Sequence, residues 1–151
     1  MKKGITPIIA IIILLLITIG LAATAWTYLS GFMAGYTKSL TLVDSYCTGA
    51  TTTNVILRNT GTEPISLGSA ACTFSGTTAV CGALTITRTD GGSFSNAGLY
   101  QSDCTTQITG NLATQGAICF KDDCTTSGPT VCTYRFTTGG TGATVVSIPC
   151  G

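Results

Sequence analysis

The chain has 151 residues, with seven Lys/Arg against six Asp/Glu and no His. Charged residues make up 9%, far below the roughly 25% of an average soluble protein, and beyond two N-terminal lysines there is no basic stripe to hold nucleic acid. Without His, acid–base chemistry falls to six scattered carboxylates in no recognisable pair, so no catalytic, cofactor or metal site is expected.

Met1 to Gly4 forms a short leader carrying Lys2 and Lys3. From Ile5 to Trp26 the chain has no charge for about 22 residues, enough for a helix to cross a bilayer core that needs roughly 20. The basic pair before the run sets its orientation, and Trp26 and Tyr28 suit the membrane–water boundary at its far end. Thr6 is predicted as the N-cap and Pro7 as the first helical residue, where a missing N–H costs nothing. Ala23-Thr24-Ala25 resembles a signal-peptidase site, whose use would release a soluble domain. The apolar run exceeds a signal core of about 7–15 residues, which favours the uncut reading. The apolar character continues through Tyr36, and the helix is expected to run to about Val43. It would then be about 55–60 Å long at roughly 1.5 Å per residue, about twice a bilayer's need. The surplus must pack on something else.

From Tyr46 the pattern changes to a period of two, and Thr, Gly and Ser dominate. Strands are predicted at residues 53–59, 63–67, 71–75, 79–88, 117–121, 130–137 and 144–148, with turns at Asn59-Thr60-Gly61-Thr62 and Asp90-Gly91-Gly92. Residues 117–121 and 130–137 read as a hairpin across Thr125–Pro129. The expectation is therefore an α+β chain: a leader at 1–4, a hydrophobic helix at 5–45, and a small Ig-like antiparallel β-sandwich at 46–151. About 105 residues after Tyr46 suit one domain.

Eight cysteines, Cys47, Cys72, Cys81, Cys104, Cys119, Cys124, Cys132 and Cys150, all follow the apolar run. An even number on one side of a membrane segment points to disulfides in an oxidising compartment. Wide, irregular spacings without a CxxC pair or His leave zinc little support. About 105 pairings are open. Position favours Cys47–Cys150, tying the tail to the neck, and Cys119–Cys132 across the last hairpin. Bridges of a few kcal/mol each would supplement a core with few large aliphatics.

Thr makes up about a fifth of the chain, which suits exposed strand faces and also offers O-glycan sites where charge is scarce. No Asn begins an N-glycosylation triplet. Asp122-Asp123 reads either as half of a calcium site or, more simply, as a solvated pair.

The segment Lys2-Lys3-Gly4-Ile5-Thr6-Pro7-Ile8-Ile9-Ala10 resembles the class III signal of archaeal type IV pilins. There a basic leader ending in Gly precedes a Ser/Thr-Pro start to a long apolar helix. The stretch NVILRNTGTEPISL is similar to the first β-hairpin of archaeal pilin and archaellin heads. The resemblance covers about residues 1–45, and residues 54–67 more loosely. It implies that a prepilin peptidase cuts between Gly4 and Ile5, that the precursor waits in the cytoplasmic membrane, and that an assembly ATPase and a membrane platform protein lift it into a helical homopolymer at the cell surface. Ile9 stands where bacterial pilins carry Glu, which sets the chain apart from that branch. The Thr-Pro start is more similar to adhesion pilins than to archaellins. An archaellum subunit, or a membrane-anchored adhesin that never polymerises, is the alternative.

Overall fold

The computed structural model describes residues 5–68, 72–124, 131–139 and 142–150. Two compact units are present, residues 1–34 and 35–151.

The first unit is the body of helix α1, Ile5–Thr37, 33 residues long and so about 50 Å at 1.5 Å per residue. Ile5, the first described residue, is already helical, as are Thr6 and Pro7, so Thr6 lies within the helix and is not its cap. The charge-free span Pro7–Gly31 covers 25 residues. Four hydroxyls within it bond back to the helix itself: Thr18 to Leu15 O (2.9 Å), Thr24 to Leu21 O (2.9 Å), Thr27 to Thr24 O (2.8 Å) and Ser30 to Thr27 O (3.1 Å). These residues thus bring no unpaired donor into an apolar environment.

The helix ends before the expected Val43. Strand β1, Leu40–Thr48, takes over, which moves the start of the β domain ahead of residue 46. The reason lies downstream. Asn59 is fully buried, and its Nδ2 donates to Glu63 O (2.9 Å) while its Oδ1 accepts from Gly61 N (3.0 Å). The turn it holds presents Glu63 N to Thr37 O (2.9 Å) and Thr60 N to Ser39 O (2.9 Å). The turn thus takes over a carbonyl at the end of α1, and Leu40 onward pairs with β2, Thr52–Asn59. A Cβ on Gly61 would strike the backbone of Thr37 and Ser39; only glycine admits this approach.

The second unit is a two-sheet antiparallel sandwich. One sheet has the order β1-β2-β9-β7, with β9 at Ala117–Asp123 and β7 at Gly98–Gln101. The other has the order β11-β10-β6-β5-β4: β4 is Thr73–Ser75, β5 Thr78–Cys81, β6 Leu84–Arg88, β10 Val131–Thr137 and β11 Ala143–Pro149. A small pair joins β3, Ile65–Ser66, to β8, Asn111–Leu112. Alternation builds the core. Val55, Leu57, Ile118 and Phe120 face inward from the first sheet, and Leu84, Ile86, Tyr134 and Phe136 from the second. Phe120 meets Tyr134 and Phe136 edge-on at 5.3 and 5.6 Å between centroids, a favoured aromatic geometry.

Two strand expectations change. Residues 79–88 form a hairpin, because Gly82 turns the chain at φ +60° and lets Ala83 N reach Ser66 O at 2.7 Å. Strands β9 and β10 are no hairpin: β9 pairs with β2 and β7, and β10 with β6 and β11.

Candidate functional site

Of the residues expected at the processing site, Gly4 lies outside the described residues, while Ile5, Thr6 and Pro7 open α1. Every described side chain from Pro7 to Gly31 is exposed. The face is dominated by Ile and Leu up to Leu21, then by smaller residues with Trp26, Tyr28 and Leu29. An apolar helix of this length near the N-terminus suits a membrane anchor or a signal segment. What it offers chemically is apolar area alone.

The eight cysteines form four bridges: Cys47–Cys150, Cys72–Cys81, Cys104–Cys119 and Cys124–Cys132. The first is as expected. The expected Cys119–Cys132 bridge does not form: Cys119 alternates with the inward Ile118 and Phe120 and so faces away from the core, whereas Cys132 shares the inward face of Tyr134 and Phe136. Cys119 instead fixes the 102–107 loop over the outer face of the four-stranded sheet, where Lys121 Nζ also donates to Cys104 O (3.2 Å). Two bridges, Cys47–Cys150 and Cys124–Cys132, link the two sheets. Such a framework belongs to an oxidising, extracytoplasmic setting.

A buried polar network, unforeseen in the sequence, links the same sheets. Arg88, 3% exposed, sits on β6. Its Nε donates to Asp90 (2.8 Å), its Nη1 to Asp122 Oδ2 (3.2 Å) and to Ser93 O (2.6 Å), and its Nη2 to Cys132 Sγ (3.0 Å). Asp122, fully buried on β9, also accepts from Tyr134 Oη (2.8 Å) and Ser95 N (2.9 Å). Thr53 Oγ1 lies 2.9 Å from Tyr134 Oη.

Burial pushes the Asp122 carboxyl above its ordinary range; the bonds from Ser95 and Tyr134 and the Arg88 charge pull it down without cancelling this. At Asp90 burial also pushes upward, but the Arg88 bond, the Gly92 N–H and the Arg88 charge outweigh it and hold that carboxyl low. Burial raises the Tyr134 phenol well above its ordinary value, and the neighbouring Asp122 charge adds to this. At Arg88 burial opposes the charge, yet the Asp90 bond and the two carboxylates together raise its pKa. The signal for this network was present in the alternation. Leu84-Ile86-Arg88, Ile118-Phe120-Asp122 and Cys132-Tyr134-Phe136 each run inward with period two, and each carries a polar group into the core.

The same alternation decides the Asp122-Asp123 pair. Asp122 points inward, whereas Asp123 accepts from Thr52 Oγ1 and Asn96 Nδ2, both at 2.8 Å. The two carboxylates do not converge on one site, and no group of three metal-ligating side chains occurs among the described residues.

Cavities among the described residues of the head include two lined partly by apolar side chains. One of about 140 Å³ is bounded by Lys38, Leu40, Phe136 and Thr144. The other, about 190 Å³, lies beside the outer strands β4 and β7 and is lined by Leu67, Phe74, Ala97, Leu99 and Ile108. Neither lining includes a carboxylate of the network.

No family model matches the chain, and no curated protein is similar to it in sequence.

Proposed function

We propose that the chain is the structural subunit of an extracellular helical filament, an archaeal type IV adhesion pilin whose N-terminal helix forms the filament core. The observation that carries this is α1: a charge-free span of 25 residues within a helix of 33, joined to a disulfide-stapled β head. A helix of about 50 Å exceeds the roughly 30 Å of a bilayer core, though by less than the sequence alone implies. Its self-bonded hydroxyls let it pass between two apolar surroundings.

The precursor sits in the cytoplasmic membrane with the head outside. A prepilin peptidase frees Ile5 by cutting after Gly4. An assembly ATPase and a platform protein then draw the helix from the membrane. Leaving lipid for water would forfeit about 25 cal/mol per Å² of apolar surface, so extraction is feasible only where other copies of α1 replace the lipid. Parallel helices in a filament core meet that requirement.

N-terminal mass spectrometry of the protein sheared from cell surfaces tests this. A chain starting at Ile5, recovered in fibres, is the expected result. A start at Met1 would instead indicate a tethered domain, and a start near Trp26 a cleaved signal. Either would overturn the filament reading.

A further inference from the structure

The two outer faces of the head differ sharply in chemistry. The four-stranded sheet shows its charges outward, with Asp44, Arg58, Lys121 and Asp123 at outward positions, and carries the disulfide-pinned 102–107 loop. The five-stranded sheet shows hydroxyls interspersed with the exposed valines Val80, Val131 and Val145. Its register aligns Arg135 with Thr87 and Thr87 with Thr78, and in the next row Thr137 with Thr85 and Thr85 with Val80, which pairs with Thr73. Adding Thr133, six threonines face outward across four strands, around one charge, Arg135. The hydroxyls of Thr73, Thr78, Thr85 and Thr87 have no hydrogen-bond partner among the described residues.

A β-branched sheet face with a single charge is a poor surface to leave bare. It ends at β4, an edge strand of only three residues, too short to offer much pairing to other chains. Thr133 Oγ1 lies 3.0 Å from Ser147 Oγ and Thr137 Oγ1 donates to Thr85 O at 3.3 Å; of the four unbonded hydroxyls, that of Thr73 belongs to an exposed residue and those of Thr78, Thr85 and Thr87 to half-buried ones.

We infer that the outer face of the five-stranded sheet is the sugar-bearing face of the head, O-glycosylated at threonines among Thr73, Thr78, Thr85, Thr87, Thr133 and Thr137. The donor is an activated sugar phosphate on a lipid or nucleotide carrier, used by a glycosyltransferase. The bond from the anomeric carbon to the donor phosphate oxygen breaks, and a bond from that carbon to threonine Oγ1 forms. The phosphate keeps the electron pair, and the hydroxyl proton is released. Neighbouring strands lie about 4.8 Å apart, so sugars occupy some of the six positions and exclude others. The inference rests on the surface-display part of the proposed function and not on polymerisation.

The test is intact-mass and electron-transfer fragmentation spectrometry on the full chain collected from its native cells, beside the same chain made in a host without glycosyltransferases. Relative to the polypeptide mass calculated from its own observed N-terminus, the native chain should be heavier by whole sugar residues, with fragments placing them on this face. A triple variant, Thr78→Val, Thr85→Val and Thr87→Val, keeps the branched shape and should lose sugar mass while forming all four disulfides. A native mass equal to that of the bare polypeptide, or sugars confined to other residues such as Thr105 and Thr106, would overturn the inference. The same spectra read the mature N-terminus, so failure of the filament reading is seen separately.

Discussion

Tyr134 Oη stands 2.8 Å from Asp122 Oδ2, so a strand of the five-stranded sheet donates directly to a strand of the four-stranded sheet inside the core. Arg88 closes the arrangement from β6. Buried charges of this kind are costly to expose singly. Removing one partner of a buried pair leaves the other uncompensated, at about 3–5 kcal/mol, whereas replacing both with apolar groups is often neutral. Arg88→Met is therefore expected to destabilise the head severely, and Tyr134→Phe by about 1–3 kcal/mol through one lost donor to a buried carboxylate. Arg88→Met combined with Asp122→Leu should recover much of the loss. Denaturant unfolding of the full chain in detergent measures all three; single variants as stable as the parent would rule out a clamp.

The same network sets a pH dependence. Burial raises the Asp122 carboxyl above the ordinary 3.8, so the folded chain binds that proton at a higher pH than the unfolded chain. The cost of holding Asp122 charged is present above its folded value. It is relieved as pH falls through that value, and fully so below 3.8. Asp90 has the opposite sign. Its carboxyl is held low, so it stabilises the fold above 3.8 and that contribution is lost as pH falls through its depressed folded value. Asp103 adds a loss of the same sign, its carboxylate held low by the N–H groups of Thr105 and Thr106. Stability should thus rise modestly from neutral into mildly acid solution and fall in stronger acid. Asp122→Asn should remove the rise and leave the acid fall. Melting temperature against pH for parent and variant decides it.

The four disulfides should contribute unequally. In the chain-entropy account the benefit grows with the loop closed. Cys47–Cys150 spans 103 residues and Cys124–Cys132 only 8. Paired Ser substitutions are expected to cost about 4–5 kcal/mol for the first bridge and about 2–3 for the second. Unfolding midpoints of the two double variants should keep that order; a reversed order would place the effect in local packing.

Much of this architecture was legible in the residues, and the failures have physical causes. The existence of the apolar helix, the change of period and the head's antiparallel character follow from apolar runs and alternation. The helix end did not, because Leu40-Thr41-Leu42-Val43 is as apolar as a helix continuation. Its conversion to β1 depends on the Asn59 turn about 20 residues later, which captures Thr37 O and Ser39 O. The 79–88 run concealed a hairpin because one glycine at positive φ is a small signal within an alternating stretch. The β9–β10 hairpin failed because sequence proximity is a poor guide once a chain crosses between sheets, and the Cys119–Cys132 pairing failed with it. Strands β7 and β8 are short, at four and two residues, and hold their places through neighbours and not through any pattern of their own.

The strongest test of the helix as an assembly element is a charge at its middle. Leu16 is exposed on α1 with apolar neighbours on every side, and no basic residue lies in the Pro7–Gly31 span to pair with an acid there. Leu16→Asp places an unpaired carboxylate where lipid or another apolar helix must touch it, at about 2.5–3.5 kcal/mol in the membrane alone. In a helical polymer the cost recurs at every subunit. The head, a separate compact unit, should keep its four disulfides. Fibres are therefore expected to be absent while the folded head is still detected by non-reducing mass spectrometry. Normal fibres carrying Asp at position 16 would mean that α1 does not form their core, whereas loss of the disulfide pattern would indicate a folding defect in place of an assembly defect.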